Sequence, residues 1–273
     1  MARLFTLISP ALSQLEMIKR LRTVVANHDA YLRCHYSQTS EETLVNFRSG
    51  DRLILRPRGG MAVSDSDIFE EVVLRNSYDL ESKDVRDLAV LDIGAHTGIF
   101  AMTALRLGAK RLVAVEPEGS NFELLERNFE LNKHYRAKTY RAAVAVGQGQ
   151  LCRSLSNTGG HRYVLINGVS REAAAPEYVL CPSDIDELIR SHGVRVLKVD
   201  CEGCEECIFR DCQSLHNLCL VLAETHDASG QWRRRLLIQG RLLAMGFHVT
   251  TAQESCLAEG NFAILKATRA LAI

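Results

Sequence analysis

Residues 88–94 read LAVLDIG, residues 111–117 read RLVAVEP and residues 139–146 read TYRAAVAV, with amphipathic helical stretches from Ile99 to Leu107 and from Ser120 to Asn132 between them. Unbroken runs of Leu, Val, Ile and Ala are strands buried on both faces, and helices alternating with them are crossover connections, so a parallel sheet covered on both sides follows. Downstream the pattern resumes with a helix from Ser183 to Ser191, the strand RVLKVD (195–200), a further helix, the strand LCLVLAE (218–224) and a helix from Gln231 to Met245. The runs FHVTT (247–251) and FAILKA (262–267) then close the sheet as a hairpin. The expected fold is a Rossmann-like α/β domain over residues 65–273, with a seven-stranded, mostly parallel sheet and one antiparallel C-terminal strand.

Ahead of it, residues 1–64 read as an extension. Leu12, Leu15, Ile18, Leu21 and Val25 have helical spacing, and LVNF (44–47) and RLILR (52–56), separated by Arg48-Ser49-Gly50-Asp51, predict a β-hairpin. From Ser66 to Tyr78 a helix is expected, capped by Asp65 or Asp67. Residues 147–177, with NTGG and NGVS, read as an insertion of ribbon and loop near the C-terminal edge of the sheet.

Composition narrows the partners. A length of 273 residues suits one substantial core, and 33 basic against 33 acidic residues provide no net field for nucleic acid or an anionic membrane. No segment has the apolar length of a bilayer span. The run from Leu4 to Leu12 is broken by Ser9-Pro10 and lacks a basic flank and cleavage site, so it reads as an amphipathic helix; Lys19, Arg20 and Arg22 make an organelle transit peptide the alternative. Nine cysteines, odd in number and irregularly spread, predict mostly free thiols in a reducing compartment, hence a cytoplasmic protein.

In an open parallel sheet, ligands bind beyond the C-terminal ends of the strands. The first strand here runs into Asp92-Ile93-Gly94-Ala95-His96-Thr97-Gly98, where glycines let the turn approach a ligand and aim the next helix's free N–H groups at it. The second ends at Glu116-Pro117, where an acid accepts both hydroxyls of a ribose. Together they predict an adenosine-containing ligand. The turn GAHTG lacks the middle glycine of the dinucleotide fingerprint and carries an imidazole instead, which favours a methyltransferase cofactor over NAD.

The runs VLDIGAHTGIF (90–100), VAVEPEGSNFELLERNFELN (113–132), AAVAVGQGQL (142–151), LKVDCEGCEECIF (197–209) and VLAETH (221–226) resemble the successive motifs of FkbM-type class I S-adenosylmethionine-dependent methyltransferases. His96 stands where that family usually has Asn, and Cys201 and Cys204 where it has small apolar residues. The resemblance implies S-adenosylmethionine as cofactor and S-adenosylhomocysteine as product. It implies that Gly94, Ala95, His96 and Gly98, with Asp92 and Asp200, serve the methionine end, that Glu116 and Pro117 serve the ribose, and that Asn121, Ala142 and Ala143 lie by the adenine.

At the fourth and fifth strand ends Asp200, Glu202, Glu224 and His226 gather as candidate catalytic residues. Glu202 and His226 are the favoured general bases for a hydroxyl acceptor, and Asp200 an orienting group. The same side chains offer oxygen ligands to a divalent metal, a choice the residues leave open. Cys201, Cys204, Cys207 and Cys212 approach an iron–sulfur spacing, yet fall where small apolar residues are expected, so packing is the better reading. The acceptor expected is a small molecule, a hydroxyl of a sugar or secondary metabolite. The run Trp232-Arg233-Arg234-Arg235 keeps RNA as an alternative, and a catalytically inactive adenosyl-ligand binder is a third reading, against which the acids at Asp200, Glu202 and Glu224 count. The N-terminal extension is expected to cover the acceptor pocket or to mediate homodimerisation.

Overall fold

The computed structural model describes residues 14–36, 40–58, 64–133, 137–145, 150–155, 161–166, 178–201, 203–227, 231–257 and 260–270. The expected helix about Leu4 to Leu12, the NTGG and NGVS segments and Glu202 therefore lie outside the described residues.

Two helices, α1 (Gln14–Val24) and α2 (His28–Tyr36), precede the expected hairpin of β1 (Thr43–Asn46) and β2 (Arg52–Leu55), which pair antiparallel with Thr43 opposite Leu55. The next helix, α3 (Asp65–Phe69), is capped by Ser64 rather than by Asp65 or Asp67: Ser64 Oγ accepts from Asp67 N–H and the Asp67 carboxylate accepts from Ser64 N–H. Asp65 is otherwise engaged, in a forked ion pair with the Arg56 guanidinium at 2.8 and 3.0 Å. The expected helix to Tyr78 does not continue as α-helix; it becomes a π-helical turn over Glu70–Arg75, ended by Asn76 in the left-handed region (φ 53°). Such turns alter which side chains share a face, and they recur at functional sites. A short helix, α4 (Ser82–Val85), leads into the sheet.

There the chain runs β3 (Ala89–Ile93), α5 (Ile99–Arg106), β4 (Arg111–Val115), α6 (Gly119–Leu131), β5 (Ala137–Tyr140), β6 (Ala142–Val144), the ribbon β7 (Gln150–Leu155) and β8 (His161–Ile166), and β9 (Tyr178–Leu180). It continues α7 (Pro182–His192), β10 (Val194–Val199), α8 (Glu205–Asp211), β11 (Leu220–Asp227), α9 (Arg233–Ala244), β12 (His248–Leu257) and β13 (Gly260–Thr268). The run TYRAAVAV is two strands, because the chain leaves the main sheet at Arg141: β5 pairs with β4, whereas β6 pairs with β9. The seven-stranded sheet has the order β12-β13-β11-β10-β3-β4-β5, with β13 antiparallel to both neighbours and the remaining pairs parallel. The order reverses between β3 and β10, so their C-terminal ends flank the crevice in which ligands of doubly wound sheets bind.

Strand alternation divides the core between the two faces. Val90, Leu112, Val196 and Leu222 point to one side, where they meet α5, α6 and the extension through Leu21, Tyr31, Phe47 and Leu55. Leu91, Val113, Leu197 and Val221 point to the other, against α7, α8 and α9. The extension thus shares a core with one face of the sheet, and each fully buried side chain such as Leu55 contributes about 1.5–3 kcal/mol to holding it there. No helix among the described residues is long and apolar enough to cross a membrane.

Candidate active site

After β3 the backbone turns through Gly94 at φ 80°, His96 at φ 51° and Gly98 at φ 87°. At Gly94 a side chain is excluded twice, by that left-handed conformation and by the neighbouring strand: a Cβ there would lie 1.7 Å from the carbonyl oxygen of Asp200. This close approach brings the ends of β3 and β10 together, and the Asp200 N–H donates to the Ile93 carbonyl at 3.0 Å. Gly98 begins α5 close against Leu125 of α6.

A lysine in the middle of the otherwise apolar RVLKVD strand supports the turn from beneath. Lys198, only 3% exposed, donates to the Gly94 carbonyl at 2.7 Å and lies 3.2 Å from Asp92 and 3.5 Å from Asp200. Burial works against its charge, but Asp92, Asp200 and Glu224 overcome it and raise the pKa. Asp92 has no exposed surface, so it acts on this turn through Lys198 and not by touching a ligand. On the other side Asn128, fully buried on α6, ties the turn to the hairpin: its amide donates to the Thr97 carbonyl at 2.9 Å and accepts from the Ile54 N–H at 2.8 Å.

Glu116, just past β4, is 5% exposed. Its Oε2 accepts the His96 N–H at 2.8 Å, and its Oε1 accepts the Glu118 N–H at 2.8 Å and, at the longer distance of 3.3 Å, the Asn121 amide. Burial pushes its pKa up to about 7, against the pull of these donors. A carboxylate has about four acceptor positions, so Oε2 retains one. The His96 ring stands a third exposed, with Nδ1 3.9 Å from Asp65, and burial among its neighbours lowers its pKa. Pro117 follows Glu116 and Ala95 is buried within the turn, while Ala142 and Ala143 are enclosed on β6, 0% and 4% exposed.

Across the sheet edge, Glu224 and His226 alternate on β11 and so share a face, with Glu224 Oε1 3.2 Å from His226 Nε2. Tyr78 donates to Glu224 Oε2 at 3.0 Å, and Phe262 lies against the imidazole with ring centroids 5.5 Å apart. Asp200, Glu224 and His226 each offer a donor atom within 4.8 Å of the others. The π-helical turn adds Glu71, whose pKa burial and the charges of Glu224 and Asp200 push up to about 8. Burial and the Asp200 charge likewise raise Glu224. Three of the four expected catalytic residues therefore converge, and Glu71, Tyr78 and Lys198 join them. Of these only Lys198 carried a signal, a charge inside an apolar strand; Glu71 and Tyr78 come from a segment with no motif.

The four cysteines of the 201–212 stretch do not converge on one point. Cys201 and Cys204 form a disulfide, Cys207 Sγ donates to the Cys204 carbonyl at 2.9 Å, and Cys212 Sγ donates to the Pro182 carbonyl at 3.3 Å. Cys34, Cys181, Cys207, Cys212 and Cys219 are free thiols. The basic run is largely engaged: Arg234 donates to the His226 carbonyl at 3.0 Å, and Arg235 pairs with Glu254 at 2.7 Å over the face of Trp232.

The strand order, the lone antiparallel β13 and the glycine turn facing an acid at the next strand end define a class I methyltransferase fold. Residues 92–247 match the profile of the methyltransferase FkbM domain, and the chain belongs to that family. Among curated protein sequences none matches significantly. Similar solved structures include a protein from Streptococcus mutans described as a SAM-dependent methyltransferase (13% identity, TM-score 0.49, 85% of this chain and 57% of that one). Others are TYW2 from Pyrococcus horikoshii in complex with MeSAdo (14%, TM-score 0.46, 85% and 73%) and an O-methyltransferase from Bacillus cereus in complex with SAH (10%, TM-score 0.43, 71% and 80%). The chain thus spans a little over half the length of the Streptococcus mutans protein, and likeness at these identities carries no functional weight.

Proposed function

We propose that the protein transfers the methyl group of S-adenosylmethionine to a hydroxyl of a sugar or other small metabolite. The observation that carries this reading is Glu116, a carboxylate held by two backbone N–H groups beside the Gly94–Gly98 turn with an acceptor position still open. Ribose hydroxyls donate to that position on Oε2 and take over the long Asn121 contact on Oε1, while Gly94, Ala95, His96 and Gly98 follow the methionine portion towards Asp200. Asn121 and Pro117 flank the adenosine; Ala142 and Ala143 back its pocket from within the core.

The acceptor enters from the side of Asp200, Glu224 and His226, which, with Glu202, position it and handle its proton. Oxygen attacks the methyl carbon in line with the carbon–sulfur bond, whose electron pair returns to sulfur and leaves S-adenosylhomocysteine. Orientation at such a site is worth effective molarities of about 10⁵–10⁸ M, and assistance by a base about 10²–10⁴-fold more. Pairing of Arg235 with Glu254 and of Arg234 with a backbone carbonyl favours a small acceptor over RNA. Calorimetry with S-adenosylmethionine against NAD tests the cofactor, and labelled-methyl transfer into a metabolite extract against total RNA tests the acceptor. Binding of NAD alone, or label entering RNA and being lost on neutralising Arg233 to Arg235, overturns the corresponding part.

A further inference from the structure

Resting on the reading of this edge as the acceptor side, we infer that Asp200, Glu224 and His226 hold a divalent first-row transition cation, with Glu71 completing its negative surroundings. The three donor atoms lie within 4.8 Å of one another, close enough for one ion to reach all three. Each side chain keeps some exposure, 27%, 12% and 20% respectively, so the ion would retain open positions for water or an acceptor oxygen.

Charge balance supports an ion here independently of that spacing. Asp92, Asp200, Glu224 and Glu71 gather around one buried ammonium, Lys198, which Asp92 and Asp200 share, and His226 is the other group that tempers their charge. Glu71 lies within electrostatic reach of Asp200, Glu224 and His226. Partly buried carboxylates crowded in this way are costly without a counter-charge. Two carboxylates and one imidazole suit Mn²⁺, Fe²⁺ or Zn²⁺ better than Mg²⁺, which prefers an all-oxygen octahedron.

With the ion in place His226 is a ligand and not the base. Held by Asp200, Glu224 and His226, such an ion would supply a positive charge that eases loss of the acceptor's proton to solvent, while the methyl transfer itself keeps the same balance, oxygen bonding to carbon as the carbon–sulfur pair returns to sulfur. No redox step is involved.

The test uses the full chain, stripped with EDTA and titrated with Mn²⁺ under electron paramagnetic resonance. The expected result is one bound Mn²⁺ per chain, weakened at least tenfold by Glu224→Gln and by His226→Gln. Asp200→Asn, at the most exposed of the three positions, is the third variant, and near-UV circular dichroism reports whether each one folds. Glu116→Gln should weaken S-adenosylmethionine but leave Mn²⁺ binding unchanged, so failure of the cofactor reading and failure of the metal reading are separate results. Absence of stoichiometric Mn²⁺ at millimolar concentration, or unchanged affinity in folded Asp200→Asn, overturns the inference.

Discussion

Cofactor affinity should depend on pH through Glu116. In the unliganded protein burial holds this carboxyl at about 7, while two ribose hydroxyls bound as proposed would donate more strongly to its ionised form. The ligand therefore favours the deprotonated state, and affinity must fall as pH drops through that value, in the limit tenfold per pH unit. Between about pH 8 and about pH 6 the ionised fraction goes from roughly nine-tenths to one-tenth, a loss near tenfold or about 1.4 kcal/mol. Glu116→Gln should flatten the profile. It should also weaken binding roughly ten- to a hundred-fold at pH 8, because a charge-assisted contact is worth about 1.5–3 kcal/mol and an amide NH₂ would face the N–H of His96 or Glu118. Glu71, with a pKa near 8, titrates in the same window but on the acceptor side, so comparison with the Gln variant isolates Glu116. Isothermal calorimetry with S-adenosylmethionine across this range is the assay. A flat wild-type profile, or a Gln variant that binds as tightly as the wild type, would refute the reasoning.

Two further outcomes follow from the geometry of the turn. Gly94→Ala should abolish cofactor binding and destabilise the protein in urea: the left-handed backbone costs about 1–2 kcal/mol for a residue with a Cβ, and the overlap with the Asp200 carbonyl adds about 1–3 kcal/mol. Asn128→Ala strands the Ile54 N–H and the Thr97 carbonyl, so unfolding should show a loss of about 2–4 kcal/mol with weaker cofactor binding; stability within 0.5 kcal/mol of wild type (roughly the spread of neutral surface substitutions) would show that the hairpin does not brace the turn.

The cofactor half of the site was legible in the residues because its parts are local. A strand, a glycine turn and a helix start lie within Leu91 to Ile99, and steric exclusion at Gly94 is a property of the turn itself. Asp92 shows the limit of that reading. Its position in the motif suggested contact with the ligand, whereas it is buried under the turn with Lys198, a partner 106 residues later that only the pairing of β3 with β10 brings to it. The break at Arg141 was likewise hidden, since TYRAAVAV keeps one apolar pattern through a change of sheet that pairing with β9 decides.

The acceptor side was legible only in part: Asp200, Glu224 and His226 could be read from their strand ends, but the side chains from the preceding segment could not. Tyr78 meets Glu224 across 146 residues, and Glu71, in the π-helical turn that follows α3, lies within electrostatic reach of the same group. Periodicity in 66–78 predicts an α-helix and gives no sign of the π-helical turn observed over 70–75. On the proposed reading the acids at the ends of β10 and β11 serve the acceptor, while Glu71 and Tyr78 beside them come from the segment that leads into the sheet. Changes in that segment alter the acceptor's surroundings without disturbing Glu116 or the glycine turn. Acceptor preference in this protein should accordingly move with Glu71 and Tyr78 while cofactor affinity stays fixed.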